Sequence, residues 1–155
     1  KLPNSLRKLN FWKNNITYLP ELPDSLKELY CQNNNLTELP ELPNSLEYLY
    51  CHYNKLTKLP KLPNSLKELI CDNNNLTQLP ELPDSLEKLF CEYNNLTKLP
   101  KLPNSLKKLS CNNNNLPYDN LDEYKEYIEK HKDLIDEYGY NEAMNILNNT
   151  KKYNL

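Results

Sequence analysis

Apolar residues alternate briefly along this chain and then regroup around prolines. In residues 28 to 42, Leu29 and Cys31 alternate with polar or aromatic neighbours, and Leu36, Leu39 and Leu42 follow at spacings of three. The alternation predicts a short β-strand, because successive side chains on a strand face opposite ways. Leu29 and Cys31 then turn inward, and Glu28, Tyr30 and Gln32 turn outward. The whole phrase returns. Ser-Leu stands at 5, 25, 45, 65, 85 and 105, a period of 20 residues. Leucines keep the same phase at Leu26, Leu46, Leu66, Leu86 and Leu106, and again at Leu29, Leu49, Leu69, Leu89 and Leu109. An asparagine column runs through Asn14, Asn34, Asn54, Asn74, Asn94 and Asn114. A unit this short cannot bury its own apolar face, so units must stack, one parallel strand each, into a right-handed solenoid.

The return segment of each unit reads LTxLPxLPxS. Proline fixes φ and removes a backbone donor, so this arm cannot be a helix, and an extended polyproline-II path is expected. Such an arm is thinner than a helix, which predicts weak curvature and a shallow, open strand face. The repeat fails after Leu116. Residues 120 to 138 change to a helical rhythm, with Leu121, Tyr124, Ile128, His131 and Ile135 three or four apart. Gly139 is placed to end that helix, and a second helix is expected from about Asn141 to Asn149, with Ala143, Met144 and Leu147 as its apolar face. A solenoid exposes an apolar end that needs covering. The expected organisation is therefore six 20-residue repeats over residues 1 to 117 and a helical C-terminal cap over residues 118 to 155. His131, on the apolar side of the helix, is read as packed rather than catalytic.

Set against LxxLxLxxNxL, residues Leu26, Leu29, Cys31, Asn34 and Leu36 fit with one change, cysteine in the third leucine position. The unit LPxLPxSLxxLxCxxNxLT resembles the short class of leucine-rich repeats found in secreted bacterial effectors, and its Asn, Lys and Tyr richness also resembles repeat proteins of giant amoeba-infecting viruses. The resemblance covers the six units. It implies a leucine-rich-repeat solenoid, with strands on the concave face and an extended convex arm, acting as a non-enzymatic binding scaffold in a host cell cytoplasm. Some of the bacterial effectors carry a cysteine-dependent ubiquitin-ligase domain after the repeats. Nothing here matches it, since the last cysteine, Cys111, lies inside the repeat.

The recurring cysteines follow from the strand phase. Cys31, Cys51, Cys71, Cys91 and Cys111 face inward as a column of small hydrophobes, with Phe11 in that place in the first unit. Parallel strands bring neighbouring thiols close, but their Cβ vectors run parallel, a poor match to disulfide geometry. Unpaired thiols favour a reducing compartment. Asn-x-Thr sequons begin at Asn15, Asn35, Asn75, Asn95 and Asn148. The first four fall out of the repeat consensus and are read as that rather than as glycan sites. The asparagine column is read as a ladder that bonds backbone groups of its own and adjacent coils.

Net charge is −2, with 26% charged residues, so the basic surface that nucleic acid requires is absent. No apolar run approaches the roughly 20 residues of a membrane-spanning helix. Charge signs alternate from coil to coil at Lys27, Glu47, Lys67, Glu87 and Lys107, and on the arm from Glu38 and Glu41 to Lys58 and Lys61. Adjacent coils should therefore support one another electrostatically. No glycine-rich phosphate loop or cofactor signature is found. Cys51 and His52 are consecutive strand residues facing opposite ways, so they cannot act as a catalytic pair.

The outward strand positions vary. The column between the leucine and the cysteine reads Asn10, Tyr30, Tyr50, Ile70, Phe90 and Ser110. Tyr48 flanks it on one side and Trp12 and His52 on the other, and Tyr53 and Tyr93 follow just before the asparagines. An aromatic centre with a polar rim is the composition of a protein interface. The expected partner-binding residues are thus Trp12, Tyr30, Tyr48, Tyr50, His52, Tyr53, Ile70, Phe90 and Tyr93. Stacked aromatics can also serve only to stabilise the sheet, or can join two copies into a weak homodimer.

Overall fold

A computed structural model describes residues 2–153 and places the repeat on six strands. These are β1 (Lys8–Asn10), β2 (Glu28–Tyr30), β3 (Tyr48–Tyr50), β4 (Glu68–Ile70), β5 (Lys88–Phe90) and β6 (Lys108–Ser110). They form one parallel sheet in chain order. Leu9 pairs with Leu29, Leu29 with Leu49, and so on without slip, so equivalent residues stand in straight columns. Each strand is short, but the ladder continues beyond it. Lys27 N donates to Arg7 O at 2.8 Å, Cys31 N to Tyr50 O at 2.9 Å and Asn33 N to His52 O at 3.0 Å.

The columns are the core. Leucines 26, 29 and 36 and their equivalents in the next three coils are fully buried. All five cysteines are free and lie at 0% exposure beside them. In the first coil Leu6, Phe11 and Ile16 are only partly buried, since no described residue stacks on that side. Proline opens the turn into each strand. Leu26 N bonds to Pro23 O at 3.0 Å, and the same bond recurs in every coil. The serine of that turn does a second job, which the sequence reading missed. Ser45 Oγ donates to Asp24 O at 2.6 Å and Leu26 O at 2.7 Å, tying its coil to the one before. Ser25 and Ser65 make the same pair of bonds. The recurrence of Ser at 5, 25, 45 and onward was the signal for it.

The return arm contains no helix or strand. Leu39, Leu59 and Leu79 drop inward from it, while Leu42 and Leu82 are partly buried. Shallow clefts open between adjacent arms, one of about 420 Å³ lined by Leu42, Pro60, Lys61 and Leu62. The alternating charges meet at the entry to the strand. Glu47 takes Lys27 Nζ at 2.7 Å and Lys67 Nζ at 2.6 Å, and Glu87 takes Lys107 Nζ at 2.8 Å. On the arm the expected support does not materialise. Among the described residues no ion pair joins Glu38 or Glu41 to Lys58 or Lys61. These exposed side chains remain solvated rather than held in one geometry.

Hydrogen bonds from Lys27 and Lys67 hold the Glu47 carboxyl at about 2, well below its usual 4.5. A carboxyl depressed in the folded state contributes stability that is full above pH 4.5 and fades as the pH falls towards 2. We expect the urea midpoint of the parent to exceed that of E47Q at pH 6. The gap should close between pH 4.5 and 2; a gap that persists at pH 2 would show that the stabilisation does not come from the ionised carboxylate.

Three helices follow the repeats: α1 (Leu121–Lys130), α2 (Lys132–Tyr138) and α3 (Tyr140–Tyr153). The expectation of one helix over 120 to 138 and a second over 141 to 149 is corrected here. The first breaks at His131, with φ −112 and ψ 19, and the last runs longer. His131 is partly buried, its Nδ1 lies 2.8 Å from Tyr127 O and its ring packs 4.4 Å from that of Tyr127. Gly139 ends α2 at φ 75 and ψ 158, a region open essentially to glycine alone. Asn120 caps α1, its side chain accepting from Asp122 N and Glu123 N, while Glu123 reaches back to Asp119 N at 2.8 Å.

The entry to α1 seals the last coil. Cys111 N donates to Asp119 O at 2.9 Å, replacing the carbonyl that a further coil would supply. Tyr118 and Tyr124 pack edge to face at 5.1 Å over the core's end, and both are buried. Tyr140 Oη donates to Leu99 O at 3.0 Å, and Lys98 Nζ to Asn145 Oδ1 at 2.7 Å, so α3 lies against the arm of the fifth coil.

Candidate functional site

The strand face is built on a buried asparagine ladder. Asn54 Nδ2 donates to Cys31 O, Cys51 O and His52 O at 2.9, 3.0 and 3.3 Å, and its Oδ1 accepts from Leu36 N at 3.0 Å. Asn34, Asn74 and Asn94 repeat this pattern. The asparagines hold the exit from each strand rigid, and the residue just before them is forced into an unusual conformation. Lys13, Asn33, Tyr53, Asn73, Tyr93 and Asn113 all have positive φ, between 49 and 57. Sequence reasoning placed Tyr53 and Tyr93 on the face but missed this left-handed backbone. The signal was the asparagine found at three of the six equivalent positions, since asparagine tolerates that region best after glycine.

The nine expected site residues fall into two groups. Tyr30 and Tyr50 stack in parallel, with ring centroids 4.8 Å apart, and each hydroxyl is already engaged. Tyr30 Oη donates to Glu28 at 3.0 Å, and Tyr50 Oη to Glu68 at 2.8 Å. Lys8 and Lys88 pair with those carboxylates at 3.0 and 2.9 Å, and Lys8 also lies 4.7 Å over the Tyr30 ring. Burial and the Glu68 bond push the Tyr50 hydroxyl well up from its usual range. Tyr48, between Glu28 and Glu68, and Ile70 and Phe90, which continue the column, are half-buried. This part of the stripe is cross-linked to itself.

The second group, apart from the half-buried His52, points to solvent. Trp12, Tyr53 and Tyr93 are 54%, 53% and 53% exposed. His52 packs edge to face on Tyr53 at 5.7 Å, and burial holds its imidazole below the usual range despite Asp72 beside it. Along the same row Gln32 Oε1, His52 Nδ1 and Asn112 Oδ1 are buried without a hydrogen-bond partner.

The cysteine column is poorly suited to act as a nucleophile. Burial pushes the Cys31 thiol up to about 12 and holds Cys51, Cys71 and Cys91 well above the usual range, whereas the reactive form of cysteine is the thiolate. Among the described residues no three His, Cys, Asp or Glu side chains are grouped to hold a metal ion. No described helix is long and apolar enough to cross a membrane.

A parallel solenoid with an Asn ladder, an inward leucine column and one strand per 20 residues is the architecture of leucine-rich repeats. The sequence profile described as "Leucine Rich repeats (2 copies)" matches residues 4–44 and 24–64. No curated protein matches the sequence. Among solved structures, YopM from Yersinia enterocolitica is 44% identical over 76% of this chain, with a TM-score of 0.75. The leucine-rich-repeat domain of a Shigella effector is 42% identical over 69% of the chain (TM-score 0.68), and YopM from Yersinia pestis, titled a leucine-rich effector protein, is 41% identical over 74% (TM-score 0.64). The chain spans 26%, 49% and 39% of those three structures. The protein is a short-repeat leucine-rich-repeat protein resembling bacterial effectors.

Proposed function

We propose that the chain is a non-enzymatic protein-interaction scaffold whose strand face takes a protein partner in a host cytoplasm. One observation carries the reading. Tyr53 and Tyr93 occupy left-handed backbone positions while exposing more than half of their surface. A non-glycine residue there is strained by about 1–3 kcal/mol, less for asparagine, which Asn33, Asn73 and Asn113 supply at the equivalent positions. A ring in place of asparagine that is more than half exposed, touched at Tyr53 only along one side by the His52 ring, fits a contact made to something else. Trp12, also exposed, stands in the neighbouring row with Gln32 and His52. Tyr30, Tyr48, Tyr50, Ile70 and Phe90 form a stiff floor beside it, so little side-chain freedom is lost on binding. The similarity to structures titled as effectors supports the same reading.

The test is a double substitution, Y53N/Y93N, which copies the residues of neighbouring coils. Its urea midpoint should be equal to or above that of the parent. Capture of partner from host lysate should fall at least tenfold, for ring anchors worth about 2 kcal/mol each. Equal capture by both would sink the strand-face assignment. Sedimentation at several concentrations identifies the alternative occupant: a second copy would appear as a dimer that Y53N/Y93N abolishes.

A further inference from the structure

The face that binds also carries an electrostatic imbalance, and its position suggests the chemistry of the partner. Among the described residues, the other carboxylates along the strands and their entries each meet a lysine. Glu28 is matched by Lys8, Glu68 by Lys88, Glu47 by Lys27 and Lys67, and Glu87 by Lys107. Asp72 and Glu92 are the exception. They occupy equivalent positions on adjacent coils, two residues beyond the paired Ile70 and Phe90, with Asn73 N bonded to Glu92 O at 2.9 Å. Strands in such a ladder are about 4.8 Å apart, so two like charges stand side by side, an arrangement that is itself destabilising. Among the described residues neither pairs with a cation: Asp72 receives the Asn73 amide, at 3.0 Å, and Glu92 the Ser110 hydroxyl. Burial disfavours the charged form of His52, the next member of the row, although Asp72 favours it.

The surroundings are those of a recognition site for a positive charge. Tyr93 follows Glu92 and Tyr53 lies one coil before Asp72, both rings exposed and without internal hydroxyl bonds among the described residues. Buried unpartnered polar atoms, His52 Nδ1 and Gln32 Oε1, stand further along the row on one side and Asn112 Oδ1 on the other. A guanidinium has five donors in a planar fork and stacks on aromatic faces, so it can engage two neighbouring carboxylates while lying against a tyrosine ring. An ammonium can satisfy the charge but not the fork.

Resting on the strand-face reading above, we propose that the partner is a protein segment that sets a cationic side chain, arginine in preference to lysine, against Asp72 and Glu92, with an apolar neighbour on Tyr53 or Tyr93. The partner supplies the counter-charge that Asp72 and Glu92 lack, and the two carboxylates make this part of the face selective against acidic or neutral segments.

The probe is a displayed library of random 12-residue peptides selected on the intact chain, followed by titration of the enriched peptides in solution. Enriched sequences should carry arginine, or less often lysine, next to an apolar residue. Their affinity should drop at least tenfold on D72N/E92Q and fall with added salt, while the urea midpoint of D72N/E92Q stays at or above the parent value because the mutual repulsion is gone. Repeating the selection on D72N/E92Q should lose the basic residue. If the enriched peptides lack a basic residue, or bind D72N/E92Q as tightly as the parent, the inference is overturned. If those same peptides still lose affinity on Y53N/Y93N, the strand-face reading survives without it. If they bind Y53N/Y93N unchanged as well, the strand-face reading falls with it.

Discussion

Replacing Asn54 by alanine will destabilise the protein by roughly 3–5 kcal/mol, well beyond a typical surface substitution. The reason is the number of groups that one amide serves. Asn54 bonds three carbonyls, those of Cys31, Cys51 and His52, and the Leu36 N–H. All sit where neighbouring coils exclude water, and each buried backbone group left without a partner costs about 1–3 kcal/mol. Leucine at this position should be no better, because it fills the volume but returns none of the bonds. Asn14 provides the control. Among the described residues it bonds only Phe11 O and Trp12 O, both at the exposed first coil, so N14A should cost under about 1 kcal/mol. Urea unfolding with an unchanged slope is the measurement. Equal losses for the two variants would show that the ladder does not carry the coil-to-coil stability assigned to it.

The five thiols will resist alkylation by iodoacetamide at pH 8 in the native protein and react together in denaturant. Two effects multiply. A thiol held at about 12 in place of 9, as for Cys31 and Cys111, has a thiolate population reduced about a thousandfold at that pH. Zero exposure then requires the coil to open before the reagent can enter. In a linear array, ends open before the middle. Mass spectrometry after partial labelling should therefore find Cys31 and Cys111 modified ahead of Cys51 and Cys71. Rapid native reaction at Cys71 would mean that the thiol column is not the interior of the solenoid.

The two predictions draw on different parts of the same sequence signal. The inward phase of Leu29 and Cys31 was legible because the alternation is repeated coil after coil and a one-residue slip would expose every leucine. The asparagine ladder was legible for a related reason: an inward polar residue on a fixed period must be bonded, and only neighbouring coils offer partners. The candidate surface was legible only as a set of outward positions. Tyr30, Tyr50, Tyr53 and Tyr93 look alike in the sequence. Their roles differ because Glu28 and Glu68 reach the hydroxyls of the first two, while the strand exit turns the other two towards solvent.

Local and repetitive features, then, were determined by the chain itself: strand phase, period, the turn at Pro and Ser, and the columns that become the core. Each needs only contacts between equivalent residues one coil apart, and six coils state the same rule. What occurs once was decided by the tertiary structure. The helical rhythm of residues 120 to 138 runs straight through His131, yet the helix breaks there. Periodicity marks which side of a helix is apolar but not how far it can run before the surface it covers ends. Which lysine reaches which carboxylate, which tyrosine is left free, and why Asp72 and Glu92 meet no counter-ion among the described residues are likewise matters of distance between coils. A sequence lists the charges; only their positions in the folded protein determine which of them are neutralised.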